Sequence, residues 1–383
     1  MFKGIFLKHA PVHSQPSAMQ SQLPLMNDVN ANDTPVFQLG LAGFNPAERV
    51  HIAGMVKLLP QTTLKWRVGD FATADALFVC GKNTRNGTAP SSADENTLQI
   101  LAGSASDNSV VLSLSNMGRP LAFSLPVVDP QIEPALGFDA ASPASVQIVL
   151  ENFEKCLRAK LAQFVMGKQL TQRGPQLQAT TYHLLHLGQL VAVVDLAHFQ
   201  IGLLADVDTQ IVEAAIWEKR PTLAAAIPQH FLHTDVAKVR WIYAQYSQRD
   251  LLPGRYRHKP IYYRQPPRVT SSWLTDPQLR LLHELGSNPA TATQLIERLG
   301  VRPEQLAKDL ACLYFAASIS TTASKSAPAN VAKHLKRAPE YSSSYSLGTG
   351  STPMPTRIFD SSIAQEANLA DEPNTTVAAK LLP

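Results

Sequence analysis

The sequence predicts a chain of class α/β plus α+β, built in three folded parts between two disordered tails. Three observations lead there. Between residues 35 and 130, short apolar runs alternate with helix-forming segments, the pattern of a doubly wound parallel sheet. Between 175 and 270, strand-like runs follow one another before the helices, which is an α+β arrangement. Between 271 and 322, three short helical segments repeat leucines three and four residues apart. Residues 131–174 connect the first two parts, and residues 1–34 and 323–383 read as disordered.

Phe2, Ile5, Phe6 and Leu7 form a small apolar patch, either a docking segment or a frayed terminus, before a Gln/Ser/Pro/Asn-rich stretch. Val36 to Phe44 is nearly continuous apolar sequence, as a buried parallel strand would be. Asn45-Pro46-Ala47-Glu48 opens a helix with a cap, a proline at its first position and an acid in its first turn. That helix turns Val50, Ala53, Met55, Val56 and Leu59 inward and stops at Pro60. Strands are expected at Leu64–Val68 and Ala76–Cys80, a helix at Asn96–Ala102, and strands at Val110–Leu114 and Leu121–Leu125. Residues 145–170 carry Val146, Val149, Leu150, Phe153, Leu157, Leu161, Phe164 and Val165 at helical spacing. They predict one long amphipathic helix that closes the sheet, connects the parts or pairs with a second copy.

Beyond the break at Gly174-Pro175, strands are expected over Tyr182–Leu187, Leu190–Val194 and Phe199–Leu204, then helices over Thr209–Trp217 and Asp235–Tyr246. In the last part helices open at Thr275, at Thr291 or Thr293, and at Arg302-Pro303-Glu304, and a strand is expected within Phe315–Ser320.

A chain of 383 residues can bury two or three ordinary cores, and its 45% hydrophobic content supports them. The 28 prolines and the 17% charged content reflect the Ser/Thr/Ala/Pro/Gln-rich ends. A net charge of +4 over this length names no partner. Cys80, Cys156 and Cys312 follow no metal or redox spacing and suit a reducing compartment. No run approaches the roughly 18 apolar residues of a membrane span, and the start lacks a signal h-region. A cytoplasmic location without membrane contact is expected.

In strand order and length, 36–130 resembles the receiver domain of response regulators, a flavodoxin-like fold. The resemblance implies an acidic pair after the first strand, a phosphoacceptor Asp ending the third and a Lys after the fifth. The chain departs from each: Gly43-Phe44-Asn45, Val79-Cys80-Gly81 and Phe123-Ser124-Leu125-Pro126 stand there. Only Ser113 or Ser115 matches, where the family has Ser or Thr. Without carboxylates to hold magnesium or an Asp nucleophile, the resemblance implies a pseudo-receiver that is not phosphorylated in the usual way. The pattern Leu282, Leu285, Thr293, Leu295, Ile296, Leu299, Gly300, Leu306, Leu310, Leu313 and Ile319 resembles a winged helix-turn-helix unit. It implies a third, recognition helix exposing Glu304, Gln305, Lys308 and Asp309. These sum to negative charge and would repel phosphate, so a protein-binding winged helix rivals a DNA-binding one.

The densest charge feature runs from Arg249 to Arg268. It sets Arg249, Arg255, Arg257, Lys259, Arg264 and Arg268 against Asp250 alone, with His258 and with Tyr256, Tyr262 and Tyr263 interleaved. Guanidinium forks suit phosphates and tyrosines stack on bases, which suggests a site for DNA, RNA or a nucleotide messenger. The same strip reads equally as a basic connector, held by Pro253, Pro260, Pro266 and Pro267 against an acidic neighbour. Arg264-Gln265-Pro266-Pro267-Arg268 also resembles the Arg-x-x-x-Arg part of the PilZ cyclic-di-GMP motif, without the rest of it.

Gly40-x-x-Gly43 suits a tight strand-to-helix turn better than a dinucleotide site, whose acid would have to be Asp70. His183 and His186 fall on opposite faces of a strand, and His230 and His233 share a helical face without a third ligand. Trp217 reads as a core residue ending a helix, and Lys333–Arg337 as a solvated basic cluster.

Neither a catalytic constellation nor a metal or cofactor site is expected. The sequence predicts a non-enzymatic pseudo-receiver signalling adaptor. Its α/β domain and 145–170 helix would recruit a protein partner or a second copy. The 249–268 strip and the C-terminal module would bind a macromolecule, DNA among the candidates. The alternatives are a protein–protein scaffold without nucleic-acid binding, a nucleotide second-messenger effector, and an enzyme built on the Gly40–Gly43 turn.

Overall fold

A computed structural model describes residues 33–60, 63–86, 97–101, 109–113, 118–221 and 226–325. The apolar patch at 2–7, the chain from 326 onward and its cluster Lys333–Arg337 lie outside them.

The first sheet begins with β1 (Val36–Ala42), whose burial on both faces follows from its unbroken apolar run. Asn45 then caps α1 (Pro46–Leu58) as a capping box, its side chain taking the Glu48 N–H while the Glu48 carboxylate takes the Asn45 N–H. β2 (Lys65–Gly69) and β3 (Ala76–Cys80) flank β1, both parallel to it. The next three strands leave the sheet: β4 (Thr84–Asn86), β5 (Thr97–Leu101) and β6 (Ser109–Ser113) form an antiparallel ribbon. The chain returns with β7 (Leu121–Ser124), parallel to β3, and β8 (Gly137–Phe138), parallel to β7. The parallel sheet thus runs β2-β1-β3-β7-β8, or 2-1-3-4-5 counting its own strands.

The α/β class is as expected, but Val50 of α1 faces solvent where an inward position was expected and Ile52 is buried instead; three details of the sheet also differ. The helix expected at Asn96–Ala102 is β5, because Thr97-Leu98-Gln99-Ile100 alternates with period two and pairs across to β6. The strand expected at Val110–Leu114 is β6 of the ribbon, so the fourth and fifth parallel strands are β7 and β8. Nor, among the described residues, are helices wound on both faces. α1 and α2 (Pro143–Cys156) both pack into one core with Phe37, Leu39, Leu41, Trp66, Phe78 and Phe138. The opposite face, Ala42, Leu77, Val79 and Phe123, is covered by Phe71, Ala74, Ile100, Val127 and Ile132, from loops and the ribbon. Only the loop at Asp70–Asp75 joins β2 to β3, too short for a helix there.

The single long helix expected over 145–170 is two. Leu157, at φ −92° and ψ 4°, ends α2 and starts α3 (Arg158–Arg173). The turn keeps Leu157 and Leu161 in the first core while the rest of α3 enters the second.

The second sheet is antiparallel, in the order β12-β9-β10-β11-β13. β9 (Thr181–His186), β10 (Gln189–Asp195) and β11 (Gln200–Leu204) form the expected meander. α4 (Thr209–Ala214) is shorter than expected, since Ile216–Arg220 instead forms β12 beside β9. Trp217 therefore lies on a strand, its indole N–H donating to Gln169 Oε1 at 3.0 Å. β13 (Phe231–Asp235) pairs with β11, so His233 is on a strand and His230 in the turn before it, not on one helical face. α3 and α5 (Val236–Tyr246) lie on this sheet, with Asp235, expected as the first residue of that helix, serving as its cap.

The last part holds α6 (Arg255–His258), β14 (Tyr262–Tyr263), α7 (Asp276–Ser287), α8 (Ala292–Leu299), α9 (Pro303–Phe315) and β15 (Ile319–Ser320), which pairs with β14. Capping boxes Thr275/Gln278 and Thr291/Gln294 open α7 and α8, and Gly300, at φ +63°, ends α8. Their core takes in Leu252, Tyr256, Ile261 and Tyr263, so the chain from 252 onward belongs with these helices. Among the described residues no helix is long and apolar enough to cross a membrane.

All three cores meet at α5. Val239, Ile242 and Tyr243 face the second core, Trp241 and Ala244 the third, and Tyr246 the first. Tyr246 stacks on Phe37 with ring centroids 4.3 Å apart, and its hydroxyl donates to Asp75. Burial, then the Asp75 charge, holds the Tyr246 pKa well above the usual tyrosine value. Lys160 of α3 reaches the same carboxylate at 3.1 Å. α3 comes close enough to α5 because Gly167 has no side chain: a Cβ there would stand 2.2 Å from the Val239 carbonyl oxygen.

Gly167→Ala is therefore expected to lower stability by about 1–3 kcal/mol, the usual range for overpacking, in urea unfolding of the full chain. An unchanged midpoint would mean that the helices do not touch at Gly167.

Candidate functional site

Two places correspond to the sequence expectations: the crevice at the carboxyl ends of the parallel strands, and the 249–268 strip.

Open α/β sheets bind ligands outside the carboxyl ends of their strands, where the strand order reverses. Here that point lies between β1 and β3, and internal groups fill it. Gly43 turns the chain at φ +76°, and a Cβ on it would meet the Ile100 side chain at 2.9 Å. Asn83 Nδ2 donates to the Gly43 carbonyl at 2.6 Å, Thr84 Oγ1 to the Cys80 carbonyl at 2.7 Å, and Arg49 to the Leu41 carbonyl at 3.1 Å. Several of the positions where a receiver carries its chemistry have another task. Phe44 is in the first core, Asn45 caps α1, and Cys80 is buried. Ser124, at the end of the fourth parallel strand, accepts the Gly81 N–H at 3.2 Å. Ser113 lies on the ribbon, and Ser115 outside the described residues. Gly40 lets the 71–74 loop cross the sheet, since a Cβ would come within 3 Å of Leu77 and Ala74. Both glycines thus serve turn and packing, and Asp70 is solvent-exposed beyond β2.

The strip divides into cations that face solvent and aromatic rings that do not. Arg255, Arg257, Lys259, Arg264 and Arg268 are exposed, and Arg249 is half-buried. Tyr256 and Tyr263 are buried, 2% and 7% exposed, in the third core, and the Tyr256 hydroxyl donates to the Ile319 carbonyl at 3.3 Å. They are unavailable for stacking on bases, which corrects that expectation; their apolar rings fill a core and one polar tip finds a backbone partner. Tyr262 is half-buried. Backbone bonds lash the strip to the module: Ile261 exchanges two with Ala290, Arg264 donates to Ser318 and Arg268 to Ala316. Arg257 pairs with Asp250, and the Arg255 guanidinium lies over the Tyr256 and Tyr314 rings. Among the described residues, Arg255, Lys259, Arg264 and Arg268 have no carboxylate within ion-pair distance.

The expected recognition helix is α9, and only part of it faces out. Glu304 and Gln305 are exposed, but Asp309 is 4% exposed and accepts from Gln278 and Gln305, each at 3.1 Å. Lys308 is half-buried, and burial lowers its pKa. Cys312, wholly buried, donates its thiol to Gln245 of α5 at 3.5 Å. Sequence periodicity marked the helix but had no means of marking the side that α5 covers. Among the described residues, no three His, Cys, Asp or Glu side chains gather as metal ligands would.

Two outcomes follow. Tyr256→Ala should cost about 3–5 kcal/mol of stability, as other buried aromatic truncations do, while Tyr262→Ala should cost far less; equal costs would return Tyr256 to the surface. Burial raises the Asp309 pKa above its unfolded value, so this group's contribution is full below the unfolded value. It is lost as pH climbs through the raised folded one. Asp309→Asn should therefore gain on the parent protein in thermal stability between pH 4 and 7; a constant difference would remove the titration.

No protein-family model matches this chain, and no curated protein or solved structure does.

Proposed function

We propose that this protein is a non-enzymatic regulatory adaptor, a pseudo-receiver joined to a winged-helix-like module that binds nucleic acid through the phosphate backbone. The observation that carries this reading is the group of five exposed cations between Arg255 and Arg268, of which only Arg257 has a carboxylate partner among the described residues. A polyanion neutralises such a group and releases its own counterions, which favours binding whatever the base sequence. The buried Tyr256 and Tyr263 and the covered side of α9 speak for phosphate contact over base reading.

The pseudo-receiver part draws support from the 2-1-3-4-5 order of the parallel strands, which flavodoxin-like sheets share. The occupied crevice supports a role in recruitment. The winged-helix part draws support from three helices closed by the β14–β15 pair and the Ile261–Ala290 bridge. A second reading, a protein scaffold without nucleic-acid binding, is favoured by the exposed acid Glu304 at the start of α9.

Fluorescence anisotropy of the full chain with random duplex DNA across a salt series tests the first reading. Log affinity should fall linearly with log salt, by about 0.9 per phosphate neutralised. The combined variant Arg255→Ala/Arg257→Ala/Lys259→Ala should flatten that slope by roughly 2–3. A flat titration at the lowest salt would exclude nucleic acid, and a protein complex surviving moderate salt in pull-down would establish the scaffold.

A further inference from the structure

Where β13 passes into α5, the chain leaves an open cleft of about 400 Å³ against the 267–273 segment. Asp235 and Lys238 line one side, and Arg268, Thr270 and Trp273 the other. Its volume falls in the range of small-molecule sites.

The charges in the cleft are unevenly engaged. Asp235 is the acid, and one of its oxygens accepts the Lys238 backbone N–H at 2.7 Å, as the cap of α5. The Lys238 ammonium is not paired with it. Instead it lies over the Trp273 ring, 4.8 Å from the centroid, and no carboxylate is within ion-pair distance among the described residues. Arg268 is exposed and likewise has no carboxylate partner among them. The cleft therefore holds two cations against one acid already in use, beside a half-buried indole. A 3₁₀ turn over Ser271–Trp273, with the Trp273 N–H on the Thr270 carbonyl at 3.0 Å, sets that indole in place.

We propose that this cleft binds a small organic phosphate bearing a flat ring, of the size of a nucleoside monophosphate. Arg268 and Lys238 hold the phosphate, and the ring lies on Trp273. A cation over an indole is held more weakly than one in a charge-assisted bond to phosphate. The phosphate accordingly draws Lys238 off the Trp273 face, and the ligand's ring takes the vacated place. Stacking of this kind tolerates any base. The inference goes beyond nucleic-acid binding by the strip and does not rest on it: apart from Arg268 the two use different residues.

The test is a titration of the full chain with each of the four ribonucleoside 5′-monophosphates, read by calorimetry and by tryptophan emission. Inorganic phosphate and adenosine serve as the two half-ligands. At least one monophosphate should bind saturably, with each half-ligand at least tenfold weaker. Lys238→Gln and Arg268→Gln should each weaken binding tenfold or more with unchanged thermal midpoints. Trp273→Phe should lose the emission change while keeping part of the affinity. Arg255→Ala/Arg257→Ala/Lys259→Ala should bind the monophosphate as the parent does, even where it has lost DNA, so the two readings fail separately. Four flat titrations to millimolar ligand, inorganic phosphate binding as tightly as the nucleotide, or undiminished binding by Lys238→Gln would each overturn the proposal.

Discussion

Where α3 crosses α5, one helix backbone rests directly on the other, because Gly167 presents no side chain to the Val239 carbonyl. That approach lets an 11-residue helix serve three cores at once. α5 is packed on most of its circumference: by the second sheet and α3, by α9, and at its end by Phe37 of the first sheet. Two of its polar groups look inward. Arg240 donates to the Leu170 carbonyl, with its pKa lowered by burial, and Gln245 accepts from Cys312. Asp33 accepts from Ser247 just past the helix end, which ties the start of the first domain to the same place.

This arrangement accounts for the character of the candidate sites. The side of α9 that packs on α5 is committed to the interior, and the strip runs along the module on backbone bonds to residues 316–318. Its cations are thus presented by a fixed surface with the aromatic rings turned under them. In the parallel sheet the same economy appears at the strand ends, where Asn83, Thr84 and Arg49 satisfy carbonyls that a ligand site would leave open.

Much of the local structure was legible because it depends on neighbours in sequence. The caps at Asn45, Thr275 and Thr291 and the β9–β10–β11 meander are written within a few residues of where they act. What escaped depends on distant partners. Ile216 and Trp217 read as the end of a helix until β9 pairs with Ile216–Arg220. Leu157 reads as one more apolar position on a long helix, although two cores require a bend there. The cations of the strip were legible as a site by density alone, but the fate of Tyr256 and Tyr263 was not, since a tyrosine suits a core as readily as a surface. The burial of Asp309 turns on Gln278, thirty-one residues earlier.

The position of α5 along the chain also has a consequence for synthesis. The parallel sheet is complete in sequence at β8, yet Phe37 has no stacking partner and Asp33 no hydroxyl donor until Tyr246 and Ser247 have been made. At common elongation rates that interval lasts on the order of ten seconds. During it the nascent first domain carries an open edge of its core, so its final closure waits on the ribosome.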